Sequence, residues 1–84
     1  MQQFMRKFTQ LNGKEVDVVI NHCLFDNEKF YCSHLQTIND DERIGVLLKG
    51  HPIFMYKQRV KIAEVSGKTY TLSDGRLTII VNKL

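Results

Sequence analysis

The residues with the clearest capacity for chemistry in this 84-residue chain lie between Arg43 and Ala63. Arg43, Lys49, Lys57, Arg59 and Lys61 bring five cations into a segment that also holds His51 and contains no Asp or Glu. If residues 57–61 are extended, Lys57, Arg59 and Lys61 project from one face about 6.6 Å apart, twice the rise of a strand. Three cations over roughly 13 Å can follow the phosphates of a single nucleic-acid strand, and nearby aromatic rings give its bases something to stack on. Tyr31, Phe54 and Tyr56 are the candidate platforms. The same pattern also fits the solvated face of an edge strand, where lysines discourage aggregation. By the alternation of residues 54–62, Phe54, Tyr56, Val60 and Ile62 are expected to face inward as core, with the cations outward.

Other constellations are weaker. His22, Cys23, Cys32 and His34 suggest a metal, yet Cys-x8-Cys is not a zinc-finger spacing and there is no Cys-x-x-Cys. In a hairpin turning at Asp26–Lys29, Cys23 would lie opposite Cys32 and Phe25 opposite Phe30, with His22 pointing away. Two thiols, rather than a metal site, are expected. Asp40, Asp41 and Glu42 lack the alternating oxygen ligands of a calcium loop and read as a solvated acidic loop. No nucleophile elbow and no glycine-rich phosphate loop is present. The residues therefore point to a binding protein without cofactor or metal, not an enzyme.

The elements that must position these residues are short. Met1, Met5 and Phe4 or Phe8 have helical spacing over residues 1–9, with Arg6 and Lys7 off that stripe, and a helix so brief must dock to persist. Asn12-Gly13 is a turn signal, and Val16, Val18 and Ile20 alternate as a strand. Ile44–Leu48 is an apolar run of strand length, closed by an expected turn at Gly50-His51-Pro52. Ser66-Gly67 and Asp74-Gly75 are expected to divide the rest into strands around Tyr70–Leu72 and Leu77–Val81. Residues 1–84 thus read as one all-β domain, a small barrel or sandwich. A net charge of +3 and 43% hydrophobic residues suit a globular, mildly basic protein. No apolar run approaches the length of a membrane span and no signal-peptide core precedes the first strand, so a cytoplasmic address is expected.

The order of these segments resembles the Sm-like family, above all the bacterial Sm-like host-factor RNA chaperones. An N-terminal helix and a Leu11-Asn12-Gly13 turn precede VDVVI, IGVLLKG and FMYKQRVKIAEV. Leu47-Leu48-Lys49, then Tyr56-Lys57-Gln58, stand where that family has Leu-Leu-Lys and Tyr-Lys-His. Lys49-Gly50-His51-Pro52-Ile53 is similar to the basic-Gly-x-x-Ile element of the archaeal and eukaryotic members. The resemblance covers about residues 4–65. It implies a strongly bent five-stranded barrel, here with an extra C-terminal hairpin, that forms a homo-oligomeric ring and binds RNA near its pore. Tyr56, Lys57 and Gln58 would then contact RNA, with Lys49 and His51 close to the same loop; Arg59 and Lys61 join the candidate binding residues from the charge spacing alone. A protein–protein assembly module that uses the same barrel and an open sheet edge is the competing expectation.

Overall fold

In the computed structural model, the backbone is described for all 84 residues and the side chains for all but Phe25 and Asp26. The chain begins with helix α1 (Gln2–Thr9). Phe4 and Phe8, one turn apart, stack with ring centroids 5.4 Å apart and are buried, while Met5 is half-buried and Met1 exposed. Arg6 and Lys7 stay in solvent in the last turn, where cations offset the helix dipole. The helix ends before Gly13, whose φ of +78° makes the turn that Asn12-Gly13 announces.

Eight strands follow: β1 (Val16–His22), β2 (Phe25–Cys32), β3 (Gln36–Asn39), β4 (Arg43–Leu48), β5 (His51–Tyr56), β6 (Ile62–Ser66), β7 (Thr69–Ser73) and β8 (Leu77–Lys83). All pairings are antiparallel. They form a five-stranded sheet in the order β2-β1-β8-β7-β6 and a three-stranded sheet in the order β3-β4-β5. The protein is thus mostly β, with one short N-terminal helix, and the strands described do not close into a single barrel.

The two sheets share one core. Val16 and Val18 of β1, Leu72 of β7, and Ile79 and Val81 of β8 come from the large sheet. Ile44, Val46 and Leu48 of β4 and Met55 of β5 come from the small one. Helix α1 touches β3 of the small sheet and β6 of the large, and its two phenylalanines join the common core. Burying such side chains gains about 25 cal/mol per Å² of apolar surface removed from water, which is what holds so short a helix in place. The Cα radius of gyration, 11.5 Å, is close to the roughly 12 Å expected for a compact chain of this length.

Three local expectations change. The first hairpin turns at Cys23–Leu24, and β1 pairs with β2 so that Val18 faces Phe30 and Val16 faces Cys32. This register sets Phe30 and Cys32 against the buried face of β1, a gain that a turn at Asp26–Lys29 would forgo. Cys23 is therefore at the tip and Cys32 at the far end, roughly 24 Å away along β1. Both are free thiols. The expected Phe25–Phe30 ring pairing involves a side chain outside the described residues. Second, the acidic loop at Asp40–Glu42 is preceded by a strand that the sequence did not announce, Gln36–Asn39, anchored where Asn12 Oδ1 accepts from the Thr37 backbone N–H at 2.7 Å and its hydroxyl at 3.0 Å. Third, the β4–β5 turn is Lys49-Gly50, with φ of +50° and +82°, and His51 and Pro52 belong to β5. Positive φ at both central residues is the two-residue turn that matches strand twist, and Pro52 is tolerated because β5 is an edge.

Candidate functional site

The register of β4 and β5 decides which side chains are available. Ile44 faces Met55 and Val46 faces Ile53 on the core side. Arg43 faces Tyr56, Gly45 faces Phe54 and Leu47 faces Pro52 on the outer side. Phe54 and Tyr56 are thus outward, the reverse of the inward parity expected for them, and Tyr56 is 45% exposed. The reason is that Met55 takes the core position opposite Ile44, and the period of two puts its neighbours outside. The two rings meet edge to face with centroids 5.9 Å apart. Arg43 lies over Phe54, its guanidinium carbon 5.1 Å from the ring centroid, within cation–π range.

Arg43 is held from the other side by Asp40. Its Nη2 is 2.6 Å and its Nε 2.8 Å from Asp40 Oδ2. Oδ1 of the same carboxylate accepts from the backbone N–H groups of Arg43 at 2.7 Å and Glu42 at 3.0 Å. These donors, the Arg43 side chain first, hold the Asp40 carboxyl down at about 2, and Asp40 in turn raises Arg43. The acidic run is therefore a built turn between β3 and β4, with Asp40 as its internal acceptor.

Beyond Tyr56 the chain does not stay extended. Lys57–Arg59 is a single 3₁₀ turn, fixed by the Lys57 N–H donating to the Glu42 carbonyl at 2.8 Å and the Val60 N–H donating to the Lys57 carbonyl at 3.2 Å. This turn carries the chain from the small sheet to the large one, and Val60 packs against the core as it passes. The expected ladder of Lys57, Arg59 and Lys61 on one strand face is accordingly broken. Strand β6 starts at Ile62, which is 44% exposed, while Ala63 and Val65 turn toward the core.

A cleft of about 300 Å³ opens where the two turns meet, lined by Asp41, Glu42, Tyr56, Lys57, Gln58 and Arg59. A second cleft shares Asp41, Glu42 and Tyr56 with it and is also lined by Asp40 and Arg43. Four of the residues expected to bind nucleic acid, Tyr56, Lys57, Gln58 and Arg59, are thus brought together. Three are not. Lys49 and His51 sit at the opposite end of the β4–β5 hairpin, about 17 Å along the ladder. There burial of the Cys32 thiol pushes its pKa up and the Lys49 charge partly offsets the shift. Lys61 lies at the large sheet, its N–H donating to the Ser73 carbonyl at 2.8 Å and its side chain running along Gly75.

Sequence reasoning did not include Arg43, Asp41 and Glu42 in the site. The signal available was the Asp40-Asp41-Glu42-Arg43 order itself, an Asp followed three residues on by Arg at a turn, which brings the start of β4 beside the end of β5 in a hairpin. Compared with known proteins, the chain matches no family model, and no curated protein or solved structure matches it at the significance required.

Proposed function

We propose that the protein binds RNA or another single-stranded nucleic acid on the outer surface of the β4–β5 hairpin, as a binding protein and not an enzyme. The observation that carries this reading is the outward pairing of Phe54 and Tyr56 beside the Lys57–Arg59 turn. Bases stack on exposed rings, and cations at the end of the strand follow the adjoining phosphates; stacking on such a ring contributes about 1–3 kcal/mol per base. The Sm-like order of segments supports the same reading and adds homo-oligomeric assembly. The open edge of the small sheet, β5, is where a second copy would add its strand. A filter-binding titration with short U-rich and A-rich RNAs at two salt concentrations tests the proposal. Binding should weaken steeply with salt, and changing Lys57 and Arg59 together to Ala should weaken it further and flatten the slope. No retention of either RNA at low salt would sink it. Solution mass and the ratio of absorbance at 260 to 280 nm test the assembly.

One observation favours a protein partner as the second reading. Half-buried Ile38 and Leu47 and exposed Pro52 continue the aromatic pair into an apolar outer face beside the β5 edge. Co-purification of a protein that protects β5 from hydrogen exchange, with no absorbance excess at 260 nm, would select it.

A further inference from the structure

The cleft beside Tyr56 has an unusual lining for a surface that only follows phosphates. Its cations, Lys57 and Arg59, share it with two carboxylates, Asp41 and Glu42. None of these four side chains is in an ion pair among the described residues, where the pairs are Lys29–Asp17 and Arg43–Asp40. Asp40 is occupied by Arg43 and the turn backbone, so it is not available to a ligand, whereas Asp41 and Glu42 are exposed. The backbone of this wall is fixed, since the Glu42 carbonyl accepts from Lys57 and the Glu42 N–H donates to Asp40. An exposed ring, two unpaired acceptors and two unpaired donors therefore meet in one ligand-sized space.

We infer that this cleft takes a guanine base of the bound strand, with Tyr56 as its stacking surface, the Asp41 and Glu42 carboxylates as acceptors for its Watson–Crick edge, and Lys57 and Arg59 on the neighbouring phosphate. The inference rests on the nucleic-acid reading above and specifies its ligand. The chemistry is selective because an ionised carboxylate only accepts hydrogen bonds. Guanine alone among the four bases presents two donors side by side, its ring N1–H and its exocyclic amino group, and these match the two oxygens of one carboxylate. Uracil sets its single N–H between two carbonyl oxygens, which a carboxylate repels. Adenine and cytosine each offer one amino group next to an accepting ring nitrogen. Single-stranded RNA is read in this manner, by stacking a splayed base on an aromatic ring and hydrogen-bonding its exposed edge.

The test is fluorescence anisotropy with a labelled short oligouridine and with the same strand carrying one guanine, cytosine or adenine. The native protein is compared with the Asp41→Asn/Glu42→Gln double variant, whose fold is checked by circular dichroism. The single-guanine strand should bind about tenfold or more tighter than oligouridine, the discrimination expected of one good two-point base contact. The double variant should lose that preference and bind the single-guanine strand no more tightly than the cytosine and adenine strands, because its two side-chain amides no longer offer guanine a pair of acceptors. Equal affinity of the native protein for all four strands, or a guanine preference that survives in the double variant, overturns the inference and leaves the nucleic-acid reading standing. Absence of binding to every strand removes both.

Discussion

Tyr56 joins the strand that supplies the aromatic face to the turn that supplies the cations, and it lines both clefts. Truncating it should reveal whether that face binds bases. Tyr56→Ala is expected to weaken single-strand binding about 10- to 100-fold, the cost of one lost stacking partner, with little change in melting temperature because the ring is 45% exposed. Tyr56→Phe should retain most of the affinity. Beside it, Asp40 makes a pH-dependent contribution with a definite sign. Its carboxyl is held at about 2, below the ordinary 3.8, by Arg43 and two backbone N–H groups. A depressed carboxylate contributes stability that is fully present above the unfolded value and is lost as pH falls through the folded one. The Asp40–Arg43 turn should therefore stay closed at neutral pH and open between pH 3.8 and about 2, seen as a change in the chemical shift of the Arg43 Nε–H in an NMR titration. In Asp40→Asn that transition should vanish. The role of Asp40 was hidden in the sequence, where it reads as one member of a solvated acidic run, whereas Tyr56 was already a candidate platform whose inward parity the structure reversed.

The β4–β5 hairpin carries the most instructive pair of positions at the scale of elements. Lys49 is the only non-glycine residue described with positive φ, at +50°, in the first central position of the turn. A lysine there bears a steric cost of about 1–2 kcal/mol that asparagine largely avoids. Lys49→Asn is expected to stabilise the protein by about 0.5–1 kcal/mol in chemical denaturation. It should leave single-strand binding nearly unchanged, since Lys49 is remote from the Tyr56 cleft; a large loss of affinity would return the hairpin tip to the site. Gly45 behaves oppositely. Its φ is ordinary, but a β-carbon there would collide with the Ile53 carbonyl and with Phe54. Gly45→Ala should cost about 1–3 kcal/mol by forcing β5 away from β4. It should also weaken binding, because Phe54 and Tyr56 ride on that strand. The strands themselves were legible wherever apolar residues alternate or run together, as in β1, β4, β7 and β8. The short β3 was not, because Gln36–Asn39 has little apolar pattern and is held by Asn12 from 25 residues away.

As a whole molecule, the chain depends on its helix to complete one core shared by two unequal sheets. Phe8 is fully buried at that junction. Phe8→Ala should cost about 3–5 kcal/mol, a large part of the stability of a domain this small. A collapse of the denaturation midpoint with loss of protection in both sheets would confirm that the core is single. Loss confined to the helix would show instead that the sheets hold without it. In place of the single barrel that the Sm-like resemblance implied there are two sheets, the larger built on β1, which pairs with β2 and with the C-terminal β8. That second pairing brings together residues about 60 positions apart, a partner choice that no local pattern encodes.

The sequence by itself determined that this is a β-rich chain with a short docking helix, glycine turns and a basic central segment, because periodicity, propensity and charge are local properties. It also placed Tyr56, Lys57, Gln58 and Arg59 in one candidate group, together with Lys49, His51 and Lys61. Only the tertiary structure decided that the rings of Phe54 and Tyr56 face out, that Lys49, His51 and Lys61 lie elsewhere, and that Asp41 and Glu42 share the cleft. Those outcomes depend on strand register and on the turn at Lys57–Arg59. A slip of one residue exchanges the two faces of a strand, and register is set by which apolar partners fill the common core, Met55 against Ile44 being the pair that turned the aromatics outward.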